Sequence, residues 1–280
     1  MKITIITATW NSGKTVRDTL ESVLRQSYKD YELIIKDGGS KDDTLVICRE
    51  YESRFEGRMR IIAVPDKGIY DAMNQGIAAA TGELVGLLNS DDFYTADDVL
   101  QTVAEAFEKE DGNGLDAVYG DVHYVNEDDT TKMVRYYSSR AFRRGWMRLG
   151  FMPAHPSFYC RKAVYEKFKL DGRKVEGFVG NPDCAFFNTT YKIAADFENL
   201  LRMIFVGRIK TKYINKDFVT MRTGGASSSG AASHKQINKD HLRALRENGV
   251  RSNIVLLSLR YLYKIGEIAV SRVRSRNIGR

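Results

Sequence analysis

Short apolar runs alternating with amphipathic stretches dominate the first 121 residues. The runs ITIITATW, YELIIKD, MRIIAVP, ELVGLLN and DAVYGDV are rich in β-branched and aliphatic side chains and read as buried strands. Helical spacing of apolar positions follows them from about Lys14 to Gln26, from about Asp43, over DAMNQGIAAA, and from Val99 to Phe107. Alternation of this kind predicts a parallel sheet covered by helices on both faces. In such sheets ligands sit beyond the carboxyl ends of the strands. The segments to read for chemistry are therefore TWNSGKT, KDGGSKDD, PDKGIYD, NSDD and GDV, all rich in Asp, Asn and Gly.

A length of 280 residues, 43% of them hydrophobic, is enough for one large domain with an appendage. Cys48, Cys160 and Cys184 are odd in number and far apart, so neither a disulfide framework nor a thiolate zinc site is expected, and a reducing cytosol fits best. Met1 and Lys2 lead straight into a strand pattern, without the features of a secretion signal. The apolar stretch from Ile254 to Val270 is interrupted by Arg260, Lys264 and Glu267, which argues against a transmembrane helix.

Charge changes the picture more. Nine arginines and lysines against two glutamates lie between Arg243 and Arg280, and their balance equals the +7 of the whole chain. Arg260, Lys264, Glu267, Ser271 and Arg274 recur at helical spacing as one polar stripe beside Leu256, Leu257, Leu259, Leu262, Ile265 and Ile268. A basic amphipathic helix of this kind suits an anionic membrane surface. Docking of its apolar side on the domain, or on a second subunit in a homodimer, is the alternative.

Two nucleotide-binding readings compete for the first loop. Residues 8–15, ATWNSGKT, satisfy a relaxed phosphate-cradling P-loop, with Ala8 in place of the first Gly and Trp10 inside the loop. That reading, a nucleotide hydrolase, gives no role to KDGGSKDDT or PDKGIYDAMNQGI. In LLNSDDF, Asp91 and Asp92 follow a buried strand, where a hard divalent cation, Mn²⁺ or Mg²⁺, takes oxygen ligands. Helix capping by Ser90 or Asp91 is the competing explanation.

All of these segments together resemble the family 2 inverting glycosyltransferases of the GT-A fold, particularly the bacterial branch that builds O-antigen and capsular polysaccharide. TATWN is similar to the family's T-x-x-[YW]-N, and YELIIKDGGSKDDT to its E-x-I-I-x-D-G-x-S-x-D-x-T stretch. PDKGIYDAMNQGIAAATGELVGLLNSDD resembles the run that ends in L-N-[SA]-D-D. MPAHPSFYCRK and YKIAADFENLLR resemble its acceptor-side His segment and its A-A-D-[YF]-x-x-x-L-R helix. The resemblance covers roughly residues 1 to 225.

It implies a Rossmann-like mixed α/β sheet flanked by helices, with a C-terminal helical extension. Residues 1–225 form the transferase domain, divided into a nucleotide half (1–121) and an acceptor half (122–225). A Gly- and Ser-rich flexible loop (226–235) and the basic helical tail (236–280) follow. The resemblance places Thr7, Thr9 and Asn11 around base and ribose, with Asp37 accepting from a uracil-type imide. It places Asp66, Asp71 and Asn74 beside the diphosphate-sugar and Asn89 and Ser90 near the ribose, Asn89 standing where many relatives carry Asp. Asp91 becomes the metal ligand, with His155 completing the metal shell or contacting the diphosphate. Asp196 matches the base that deprotonates the acceptor hydroxyl, with Glu198 the neighbouring alternative and helix capping the structural one. The expected donor is a UDP-sugar and the acceptor a lipid-linked glycan or oligosaccharide, handled at the inner face of the cytoplasmic membrane. A catalytically silent sugar-nucleotide or glycan-binding protein is the remaining alternative.

The segment VRYYSSRAFRRGWMRLGF interleaves arginines with aromatics. No RNA-binding motif accompanies it, so nucleic acid is not expected. Aromatics stack on sugars and arginines pair with phosphate, which makes Arg144 and Trp146, together with Arg202 of the later helix, acceptor-side candidates.

Overall fold

The computed structural model describes residues 1–110, 112–224 and 230–261. Its first half is three successive strand-helix passes: β1 (Ile3–Thr9), α1 (Val16–Leu24), β2 (Tyr31–Asp37), α2 (Thr44–Glu52), β3 (Met59–Ala63), α3 (Ile69–Ala79) and β4 (Leu84–Leu87). β1 pairs in parallel with β2 on one side and β4 on the other, and β2 pairs in parallel with β3. The winding thus reverses at β1, and the crevice beyond Thr9 and Leu87 is the switch point where this kind of sheet binds ligands.

The second half makes the sheet mixed, as the family resemblance implies. It adds β5 (Phe93–Tyr94), α4 (Val99–Glu108), β6 (Ala117–Val125), β7 (Met133–Tyr137), β8 (Tyr159–Arg161), α5 (Lys162–Lys167), α6 (Ala195–Leu200), β9 (Thr211–Arg222) and α7 (Gly230–Glu247). β8 inserts between β4 and β6, antiparallel to both. β9 runs parallel to β6 and antiparallel to β5, while β7 pairs with β6. The result is one mixed sheet in the order β3-β2-β1-β4-β8-β6-β9-β5, with β7 branching from β6.

Both faces are covered, as the near-continuous apolar strands require. Ile3, Ile5, Leu33 and Ile35 point into one core with α1, α2 and α4, while Ile6, Ile34 and Val85 point into the other with α3, α6 and α7. All three cysteines are unpaired.

The C-terminal segment corrects the sequence reading. Residues 230–235, expected in a flexible loop, are the opening turns of α7, and the rest of that loop, 225–229, lies outside the described residues. Residues 254–261 are helical, and Leu257 enters the same core as Ala244 and Phe197. Arg260, assigned to an outward polar stripe, is turned inward and buried, while Ile254, Val255 and Leu259 are exposed. The beginning of the tail is therefore docked on the domain; its remainder, 262–280, lies outside the described residues. No helix among the described residues is long and apolar enough to cross a membrane.

Candidate functional site

The turn from β1 into α1 decides between the two nucleotide loops. Asn11 takes a left-handed φ of 52°. Its N–H donates to Ser40 Oγ (2.9 Å) and its Oδ1 accepts from the Lys41 N–H (2.8 Å). The N–H of Ser12 donates to Thr44 Oγ1 (2.7 Å), and that of Gly13 to Asp42 Oδ2 (2.9 Å). A P-loop cradles phosphate with such N–H groups. Here protein hydroxyls and a carboxylate occupy them, so the P-loop reading fails.

Asp37 ends β2 and is fully buried. Its Oδ1 accepts from the N–H of Gly39 and Ser40 (2.9 Å each), and its Oδ2 from Ser40 Oγ (2.5 Å) and Thr9 Oγ1 (3.0 Å). Burial alone would raise its pKa; the hydroxyl and N–H of Ser40, the Gly39 N–H and the Thr9 hydroxyl together outweigh it and hold the carboxyl below its usual range. An imide N–H reaches this carboxylate only by displacing a hydroxyl. Thr7, expected beside the nucleotide, is instead wholly interior, its Oγ1 buried without a partner. Trp10 is 69% exposed on the rim of this loop, a ring presented to solvent where the sequence reading placed no contact.

The sequence reading passed over Lys36 of β2, which ties that strand to the segment after β3. This buried side chain reaches through β2 to the carbonyl oxygens of Asp37 (2.9 Å) and Val64 (2.6 Å) and to Asp66 Oδ2 (3.0 Å). A lysine inside the apolar run YELIIKD is the signal, because a buried ammonium requires a carboxylate partner. Asp71, expected beside the donor, is buried and accepts from the Lys67 N–H (2.9 Å) and Gln75 Nε2 (3.1 Å). Asn74 is also structural: it donates to the Phe187 carbonyl (2.9 Å) and accepts from the Phe187 N–H (2.7 Å), which uses its amide in both directions. Gly180 presses on Asp71 with φ +94°, and a Cβ there would lie 2.0 Å from Oδ1. Gly180→Ala is expected to lower stability by about 1–3 kcal/mol, read from the denaturant midpoint.

Beyond β4, Ser90 Oγ lies 2.7 Å from Ser12 Oγ, and the Ser90 carbonyl accepts from Thr15 Oγ1 (2.8 Å), which ties the first and fourth strand ends together. Asn89 donates weakly to Asp92 Oδ2 (3.3 Å). Arg222 at the end of β9 donates to the Asp91 carbonyl (2.6 Å) and pairs with Asp18. Burial raises the carboxyl pKa of Asp91, and that of Asp92 strongly, with the neighbouring Asp91 charge adding to the latter. The Asp91 carboxylate accepts no hydrogen bond from any other described residue. Half-buried and uncompensated, it fits a cation that draws its other ligands from a bound molecule. Among the described residues no three His, Cys, Asp or Glu side chains converge as an all-protein metal site.

The second half of the chain, from Tyr124 to Tyr261, lines a cavity of about 410 Å³. His155 and Asp196 meet on its wall, with Nδ1 of His155 3.2 Å from Oδ2 of Asp196. His155 is thus joined to the expected base through Nδ1, which leaves Nε2 for the metal or diphosphate contact expected of it. Asp196 does not cap its helix: Ala194 holds the N-cap position, and Asp196 Oδ1 accepts from the Phe197 N–H (2.8 Å). The buried Asp240 of α7 instead fixes the turn that leads into the helix, accepting from the N–H groups of Ile193 (3.1 Å) and Ala194 (3.4 Å). Ile237, His241, Arg260 and Tyr261 from the C-terminal helices complete the wall.

Two acceptor-side expectations part company. Arg144 and Trp146 lie exposed on a short 3-10 turn, with the Trp146 ring 5.6 Å from that of Phe151, itself a cavity residue. Arg202 is buried: Nε and Nη2 grip both carboxylate oxygens of Glu198 (3.0 and 3.1 Å), while Nη1 and Nη2 bond the carbonyls of Phe168 and Phe186. Neither Arg202 nor Glu198 is presented to a substrate.

A curled mixed sheet with helices on both faces and its polar strand ends gathered on one side is the GT-A fold of glycosyltransferases. Residues 4–168 match glycosyl transferase family 2; the chain belongs to that family and is a glycosyltransferase. It is 27% identical over 257 residues to the PGL/p-HBAD biosynthesis glycosyltransferase of Mycobacterium tuberculosis, covering 90% of this chain and 88% of that one. Among solved structures it is similar to S. aureus TarS 1–349 in complex with UDP-GlcNAc (TM-score 0.60, 18% identity), covering 86% of this chain and 66% of that chain's length. It is also similar to the mannosyltransferase PcManGT from Pyrobaculum calidifontis in complex with GDP-Man and Mn²⁺ (TM-score 0.56, 13% identity), covering 94% of this chain and 79% of that one.

Proposed function

We propose that this glycosyltransferase moves a sugar from a UDP-sugar, with inversion, onto a hydroxyl of a lipid-linked glycan during synthesis of a bacterial surface polysaccharide of the O-antigen or capsule type. The observation that carries the reading is Asp196 on the wall of the 410 Å³ cavity, its Oδ2 3.2 Å from His155 Nδ1, where Met221 of the same wall adjoins Arg222 and through it Asp91. The nucleotide half, 1–121, holds the donor and the half from 122 onward holds the acceptor. Support for the donor class comes from the UDP-GlcNAc and GDP-Man complexes of the two similar structures.

In the proposed reaction Asp196 takes the proton of the acceptor hydroxyl as its oxygen bonds to the anomeric carbon. The bond from that carbon to the diphosphate breaks on the opposite face, which inverts the configuration. His155 holds the Asp196 carboxylate in line. Asp91 would hold a Mn²⁺ or Mg²⁺ ion together with diphosphate oxygens, and a cation there offsets charge on the leaving group. Ser40, Thr9 and Trp10 surround the end of β1, where the base is expected. The exposed Ile254, Val255 and Leu259 support peripheral attachment to the cytoplasmic membrane face.

Thermal unfolding with UDP, GDP, dTDP and ATP, each with Mn²⁺ and with chelator, tests the reading. UDP with Mn²⁺ at 100 times its dissociation constant is expected to add about 2.7 kcal/mol, and Asp91→Asn to remove the metal-dependent part. A preference for ATP, or stabilisation by UDP that ignores both chelator and Asp91→Asn, overturns the donor and metal assignments.

A further inference from the structure

Three arginines are buried among the described residues, and two of them have carboxylate partners: Arg202 with Glu198 and Arg222 with Asp18. Arg260, 8% exposed, has none among the described residues. Its Nη1 donates to His241 Nδ1 (2.6 Å) and at 3.5 Å to the Gly150 carbonyl; its Nη2 donates to Asn238 Oδ1 (2.7 Å) and at 3.4 Å to Tyr261 Oη. Its Nε–H meets no acceptor among the described residues. A guanidinium only donates, so Nδ1 of His241 is unprotonated in this contact and accepts without contributing negative charge. Buried charges are normally offset by an opposite charge. All four of these acceptors are neutral.

Arg260 lines the same cavity as Asp196. Asp196 is the sole acid among the described residues of that wall and already faces His155, whereas Arg135, Arg260, His155, His234 and His241 supply basic groups. The guanidinium of Arg135 is held over the rings of Tyr124 and Tyr137, 5.4 Å from each centroid, so two arginines border the cavity from separate elements. A neutral sugar placed here would leave the Arg260 charge uncompensated. A tetrahedral oxyanion offers it a charged acceptor and has oxygens to spare for other donors.

Resting on the transfer reading above, we infer that Arg260 is the anion contact of the acceptor subsite, and that the acceptor carries a phosphate ester within reach of the hydroxyl that is glycosylated. The C-terminal helices are then the acceptor-selecting wall of the site.

The test uses the full chain saturated with UDP and Mn²⁺, so that the donor side is filled, and titrates farnesyl phosphate and glucose 1-phosphate against thermal stability. At least one is expected to stabilise the wild type, with its affinity weakened on the order of 10- to 100-fold in Arg260→Gln while UDP affinity is unchanged. A response to farnesyl phosphate alone assigns the phosphate to a lipid carrier; a response to glucose 1-phosphate alone assigns it to the glycan. No stabilisation by either probe, or equal stabilisation of Arg260→Gln, overturns the inference. Arg260→Lys, which keeps the charge but not the planar fork, carries the same comparison if Arg260→Gln does not fold. Failure of UDP and Mn²⁺ to stabilise the wild type would count against the nucleotide-sugar reading by itself, and titration of the phosphates without UDP would still decide the role of Arg260.

Discussion

Asp196→Asn is expected to lower turnover by about 10²–10⁴-fold while leaving UDP affinity and the melting midpoint close to wild type. Asparagine has the shape of aspartate, and its carbonyl oxygen can still accept from the Phe197 N–H. What it loses is the capacity to take a proton. Steady-state transfer rates, read beside the UDP-induced thermal shift of the same preparation, check the assignment. A loss below tenfold would place the base elsewhere, and Glu198 is a poor successor because Arg202 occupies both of its carboxylate oxygens.

The second large effect falls on stability. Arg202→Met is expected to cost about 3–5 kcal/mol, because it leaves the buried Glu198 carboxylate without its counter-charge and the Phe168 and Phe186 carbonyls without their donors. Urea unfolding monitored by fluorescence measures it. A residue that served an acceptor would show the reverse pattern, with catalysis impaired and the unfolding midpoint unchanged. The pair also sits where α6 runs into the π-helical segment Leu201–Val206, so it fixes the helix that carries Asp196.

The parallel half of the sheet was legible because β1, β2 and β4 are short aliphatic runs bounded by polar turns, a pattern that local sequence alone can carry. The antiparallel insertion of β8 was not. Three residues, Tyr159–Arg161, contain no periodicity, and their place is set by two strands that both lie far earlier in the chain, β4 and β6. At the site, motif positions located the right loops but did not say which way each side chain points. Thr7 and Asn74 lie within matching motifs yet are buried, Thr7 one step deeper in the strand than Thr9 on the same face, and Asn74 on the buried face of α3. Arg202 was misread for a related reason: an arginine in a motif helix looks like a phosphate ligand until its buried acid four residues earlier is counted. Lys36 could have been found by the same charge accounting. The contact between His155 and Asp196 joins segments that no periodicity links, and so do the bonds from Ile193 and Ala194 to Asp240.

That Asp240 reaches from α7 to hold the front of α6 bears on where the working protein begins and ends. The family match stops at residue 168 and the motif resemblance near 225, both short of α7. A fragment cut at 168 would lose Asp196 itself, and one cut at 225 would keep Asp196 but lose the group that orients the turn before it, along with one wall of the cavity. The segment that matches the family and the folded unit around Asp196 therefore end at different places in this chain.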